Sequence, residues 1–133
     1  MTSDLITLIL ASPAVTAIAE RRVYWQMAPQ APEAGKSFAV VTRTSGAIGF
    51  AHDGLSRLDT ARVQIDCFAP SFAQADGLRT AITDAICGQQ GVTGLTDFRA
   101  IIPNSPRDFP RVNGLHRCLA DITVTYRPAP IGD

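Results

Sequence analysis

The sequence predicts an α+β fold: one domain over residues 1–133, with a mainly antiparallel sheet of four to five strands and helices packed on one face. Two patterns carry that expectation. Alternating apolar and polar residues mark separate strand segments, most of them joined by short hairpin-like connections. Helical-period apolar patterns occur before the first strand and again in the middle of the chain. The order helices, strands, helix, strands fits an antiparallel sheet with its helices gathered on one side. At 133 residues the chain can bury roughly two-thirds of its unfolded surface without help from disulfides or metals.

Ser3 caps a first helix whose apolar residues, Leu5, Ile6, Leu8, Ile9 and Leu10, lie nearly all round it, which implies burial. Ser12-Pro13 supplies a new cap and a proline at the first helical position, opening a short second helix through Val15, Ile18 and Ala19. Val23 to Met27 is a short strand, and the proline-punctuated stretch 28–36 cannot join a central sheet. In Phe38 to Thr44 both alternate faces are apolar, which places that strand inside the sheet. Residues 45–59 hold three glycines and read as an extended hairpin tip that leaves Ile48, Phe50 and Leu55 partly uncovered.

Residues 62–88 give the clearest pattern. Val63, Ile65 and Cys67 alternate with Arg62, Gln64, Asp66 and Phe68, so one face is core and the other polar, with Phe68 an exposed aromatic. Pro70 ends that strand. Ser71, with Gln74 three residues on, forms a capping box for a helix whose apolar positions are Phe72, Ala75, Leu78, Ile82 and Ile86, and Gly88 suits a left-handed stop. Phe98 to Ile102 is a further strand, 103–114 an irregular loop rich in proline, and Leu115 to Tyr126 the last strand, with Cys118, Ala120, Ile122 and Val124 on one face.

Twelve basic and twelve acidic residues cancel, so no overall field draws the chain toward nucleic acid or an anionic membrane. Eleven of the basic residues are Arg, the type suited to forked contacts with carboxylates and enriched at interfaces. Cys67, Cys87 and Cys118 are odd in number and widely spaced, which fits neither a disulfide framework nor a zinc knuckle; reduced, intracellular thiols are expected. The apolar run 5–11 lacks the leading cations of a secretion signal. No segment approaches the roughly twenty apolar residues of a membrane span.

No catalytic, cofactor or metal site emerges. Ser45 or Ser56, His52 and Asp59 have the types of a nucleophile, base and orienting acid, but chance supplies such a trio in any polar loop. The cysteines and histidines lack ligand spacing. Gly46 and Gly49 spell a GxxG clamp without its flanking helices or cations, so a turn is the better reading. Arg99, Arg107, Arg111 and Arg117, set against Asp108, read as a solvated loop or a dock for a neighbour's carboxylates ahead of a phosphate site. Tyr24 and Trp25 alternate, so one of them faces away from the core.

The L-x-x-L-x-L start at Leu5, S-P-A-V-T-A-I over 12–18, R-R-V-Y over 21–24, A-P-Q-A-P over 28–32, T-S-G over 44–46, R-V-Q-I-D-C-F-A over 62–69 and D-I-T-V-T-Y over 121–126 together resemble the tail completion or tail terminator proteins of long-tailed bacteriophages, prophages and gene transfer agents. The resemblance covers about Leu5 to Tyr126. It implies a structural virion protein of the tail, assembled in the host cytoplasm, that forms a six-membered ring on the tail tube, halts tube polymerisation and offers a surface to the head connector. It implies no catalytic residues, and DNA passing through the lumen without specific binding.

Ring closure needs two unlike patches on each subunit. The polar strand face, Arg62, Gln64, Asp66 and Phe68, supplies one candidate, and Arg107 and Arg111 its complement. Ile48, Phe50, Leu55 and Arg57 are candidate contacts to the tube. The rival readings are a neck or head-completion connector, a small cytoplasmic enzyme or ligand-binding domain with 45–59 as a lid over a deep pocket that perturbs His52 or Asp53, and a nucleic-acid module working through the Arg99 to Arg117 cluster.

Overall fold

Residues 62–69 alternate as expected and lie in the middle of the sheet. The structure, a computed structural model, describes residues 2–25, 36–48, 59–104, 107–112 and 115–128, with 2, 45–48, 107–112 and 115 described as backbone only. In chain order the elements are α1 (Thr2–Leu10), α2 (Pro13–Ala19), β1 (Val23–Trp25), β2 (Phe38–Ile48), β3 (Asp59–Ala69), α3 (Phe72–Ile86), β4 (Gly91–Thr93), β5 (Thr96–Pro103), β6 (Arg107–Val112) and β7 (Leu115–Pro128). The strands form one sheet along the path β1-β2-β3-β7-β5-β4, and β6 also pairs with β7. The described pairings are antiparallel except β1 with β2, which is parallel.

The mixed α+β class stands, and the strand inventory needs correction. Beyond the expected five strands there are β4, too short and too glycine-flanked to signal itself, and β6, which lies inside the stretch read as an irregular loop. Pro110 falls where the β6–β7 register shifts, between Phe109 and Val112. A proline has no N–H to give a ladder and is tolerated at such an irregularity. The segment read as a hairpin tip is shorter than expected, because the β2–β3 ladder continues through Ser45↔Arg62 to Ile48↔Asp59 after an irregularity at Thr44. There the Thr44 hydroxyl donates to the Arg62 carbonyl at 3.3 Å. Residues 49–58, including Phe50, Leu55 and Arg57, and most of the 28–36 stretch lie outside the described residues.

One face of the sheet meets the helices. Val41 of β2, Val63, Ile65 and Cys67 of β3, and Ile122 and Val124 of β7 are fully buried with Leu78, Ile82 and Ile86 of α3 and Leu5 and Ile9 of α1. Burial of each such side chain contributes roughly 1.5–3 kcal/mol of transfer free energy, and this face is the main core. α3 begins as its sequence indicates: the Ser71 hydroxyl accepts from the Gln74 N–H at 3.2 Å. The expected core position Phe72 is instead half-exposed, its ring set edge-on to His116 at 6.5 Å. Beyond the helix, Gly88 takes φ 84°, a left-handed angle that favours glycine. That turn aims its N–H at the Ile101 carbonyl, 3.0 Å away, and ties the helix exit to β5.

The other end of the molecule is fastened by Asp4. Because α1 already includes Thr2, Ser3 lies within the helix and not at its cap. One Asp4 carboxylate oxygen accepts from the Leu95 N–H at 3.2 Å and from the Thr96 hydroxyl at 2.6 Å, clasping the β4–β5 turn. Gly94 of that turn has φ 59°, and a Cβ there would collide with the Asp4 carboxylate. Two charge-assisted bonds to one partly exposed carboxylate contribute about 1–2 kcal/mol. Asp4→Ala is expected to lower the free energy of unfolding by that amount in urea titration, and Gly94→Ala by at least as much.

Among the described residues the cysteines are free thiols; Cys67 and Cys118 are buried and stand opposite each other on β3 and β7, while Cys87 is half-buried. Burial pushes the Cys67 thiol pKa up, and the nearby Cys118 and Asp66 push it the same way against Arg79. Burial, then the charge of Asp84, raises Cys87 as well. Alkylation of the folded protein at neutral pH should therefore modify Cys87 first and slowly, and reach Cys67 only on unfolding, which peptide mapping by mass spectrometry checks.

Candidate functional site

Strand alternation that sends Val63, Ile65 and Cys67 to the helices sends Arg62, Gln64, Asp66 and Phe68 to the far face of the sheet. The β2–β3–β7 register extends that face sideways, setting Phe38, Phe68 and Arg117 in one row and Val40, Asp66 and Leu119 in the next. The Phe38 and Phe68 rings stack at 4.9 Å with 17° between their planes. The Arg117 guanidinium lies 5.9 Å from the Phe68 centroid, within cation–π range. Tyr24 leans on Phe38 at 6.2 Å. Phe68 is therefore half-buried in an aromatic row, not the free aromatic that alternation implies.

Charges on this face are paired within the chain. Asp66 is only 7 % exposed. Arg117 donates to its Oδ1 from Nε at 2.9 Å and approaches it with Nη2 at 2.8 Å, while Gln64 donates to Oδ2 at 3.1 Å. Arg62 reaches Asp121 at 2.6 Å. Farther along, Asp97 is 3 % exposed and accepts from Arg127 Nε at 2.7 Å, with Arg99 3.7 Å from its other oxygen. That second oxygen, Oδ1, has no hydrogen-bond partner among the described residues. The far face is thus a mosaic of carboxylates, each held by one or two guanidinium groups.

The four candidates from the polar strand face do come together on one surface. Ile48, Arg107 and Arg111 are placed as backbone in β2 and β6, while Phe50, Leu55 and Arg57 lie outside the described residues. The basic cluster is divided: Arg99 belongs with Asp97 and Arg117 with Asp66. Among the described residues no group of three or more His, Cys, Asp or Glu could hold a metal ion. Asp59, one member of the considered trio, pairs with Ile48 and Tyr126 at the end of the ladders.

A second feature escaped the sequence. On the helix side, a cleft of about 380 Å³ opens between α3 and the fork where β5 leaves β7. Its floor includes Ala120 and Ile122, and its rim Asp76, Thr80, Asp84 and Asn104. Asn104 fixes the fork: its N–H donates to the Asp121 carbonyl at 2.7 Å and its side chain to the Thr123 hydroxyl at 3.1 Å. Arg79 pairs with Asp76. Asp84 is exposed and has no ion-pair partner among the described residues. The spacing of Asp76, Thr80 and Asp84 puts a polar stripe along α3 beside its buried one, a signal legible in retrospect.

Comparison with known proteins places the chain in a family. The sequence profile described as tail completion protein gp17 matches residues 3–127. The chain belongs to that family. It is accordingly a structural protein of the phage tail, and the resemblance drawn from its strand and loop motifs agrees with the match. Among solved structures, a protein from the virion of a native gene transfer agent particle aligns with a TM-score of 0.72 at 18% identity, over 97% of this chain and 95% of that one. Another solved protein aligns with a TM-score of 0.53 at 18% identity, over 100% of this chain and 99% of that one. At such identity both likenesses speak for the fold alone. No curated protein matches the sequence.

The tail completion protein's far face makes a stability prediction. Asp66→Ala removes a largely buried carboxylate that both Arg117 and Gln64 contact, and with it their charge-assisted hydrogen bonds; a loss of about 2–3 kcal/mol is expected. Asp121→Ala breaks a pair whose Arg62 side chain is 55% exposed and should cost less than about 1 kcal/mol. Urea unfolding of the two variants tests this order.

Proposed function

We propose that this chain is a tail terminator: it forms a homo-oligomeric ring, probed first as a hexamer, on the end of the tail tube, stops tube polymerisation and offers the opposite surface to a head connector or neck protein. The observation that carries the reading is the tail completion match across residues 3–127. It is supported by a fold shared over 97% of the chain with a protein of a gene transfer agent virion. An internally compensated far face and zero formal net charge suit a ring through which DNA passes, since unpaired cations along the lumen would hold phosphates back. The candidate subunit or tube contacts in this reading are Ile48, Phe50, Leu55 and Arg57 around the β2–β3 connection, Arg107 and Arg111 of β6, and the far-face group Arg62, Gln64, Asp66 and Phe68. Its role is structural and needs no cofactor.

The test mixes purified protein with tail tube protein and follows tube length and end occupancy by electron microscopy. Added protein is expected to cap tubes and shorten them as its ratio to tube protein rises. Protein found only on heads would make it a neck connector instead, and tubes that grow unchanged with bare ends would overturn the terminator role.

A further inference from the structure

The cleft between α3 and β7 and the opposite lateral side of the sheet match in height and in chemistry. Strand register fixes the heights. Ile122 of the cleft floor pairs with Val63, which pairs with Arg43 on β2; Ala120 pairs with Ile65, which pairs with Val41, and Val41 with Trp25 on β1. Arg43 and Trp25 therefore stand in the two cross-sheet rows that floor the cleft, on the same face of the sheet, with β3 between them and it. β1 ends level with Val41, so its described residues stop short of the Arg43 row.

Both side chains are available. Trp25 is 38% exposed although its row is otherwise core. Arg43 is exposed and makes no ion pair with the described residues. Across the molecule the cleft offers what such a pair would bind. It has an apolar floor for an indole edge or an arginine stem, and on its rim stands Asp84, a carboxylate with no cation of its own among the described residues. Tryptophan and arginine are the side chains most often found to dominate an interface, and a guanidinium uses its flat faces and its charge together.

From this complementarity we infer that the α3–β7 cleft receives Arg43 and Trp25 from a second copy of this chain, with Arg43 pairing to Asp84. The inference rests on the ring reading and names its subunit contact. A neighbour reached by rotation about an axis running along the strands keeps its rows at the same height, so the two unlike sides meet in register. Such a contact is heterologous, each subunit giving one side and receiving on the other, and closes into a ring when the rotation divides the circle. The far-face mosaic is then left free for other partners.

Charge exchange tests the pairing. Arg43→Glu and Asp84→Arg, each checked for native circular dichroism, should each weaken ring assembly at least about tenfold in sedimentation or native mass spectrometry, and the double variant should recover most of it. The chain has one tryptophan, so assembly of the wild type should also shift its fluorescence to the blue. Rings that form as well in both single variants, or without any change in tryptophan emission, overturn this contact and leave the terminator reading standing. A wild type that stays monomeric both alone and on tubes overturns the two together.

Discussion

The ladder between β3 and β7 is the constraint on which the rest of the molecule depends. It runs without interruption from Asp59↔Tyr126 to Ala69↔His116. Because side chains alternate with a period of two, this one register decides both surfaces of the sheet at once. In register, Val63, Ile65 and Cys67 meet Ile122, Ala120 and Cys118 beneath α3, and Asp66 comes diagonally within reach of Arg117, one row away on the far side. Slipped by one residue, the ladder would turn over the side chains of one strand, carrying Asp66 or Asp121 beneath the helices. The apolar face supplies most of the energy, and the charged face adds a penalty against the wrong pairing.

Much of this was legible in the sequence because it is local. The alternation in residues 62–69, the serine that caps α3, the left-handed glycine behind it and the two-sided apolar character of β2 each depend on residues within a few positions of one another. The pairing of Arg117 with Asp66 joins positions 51 apart, and that of Arg62 with Asp121 positions 59 apart. Nothing in a local pattern announces which arginine answers which carboxylate. Hence the polar face was readable as a face, whereas its internal neutralisation and the stacking of Phe68 were not. The same holds for the cleft, whose floor and rim come from three separate elements.

The strands that escaped notice did so for physical reasons. β4 has three residues and starts with a glycine, and β6 carries a proline at a register shift. Each is too short or too interrupted to show alternation. They take their conformation from β5 and β7, which were formed by stronger signals. The parallel pairing of β1 is likewise set by tertiary placement: α2 delivers the chain beside β2, and the Ala39 N–H donates to the Arg22 carbonyl at 2.9 Å to start the pairing.

The described outer strands are brief: β1 and β4 have three residues each, and the Gly88 amide occupies a β5 carbonyl beyond the reach of β4. An open strand edge is a template on which any other edge can add. The longer edges, β2 past Val41 and β6, are interrupted by the irregularity at Thr44 and by Pro110 at a register shift, features that blunt an edge against random pairing between copies. Recognition is left to side chains, which must fit before they bind.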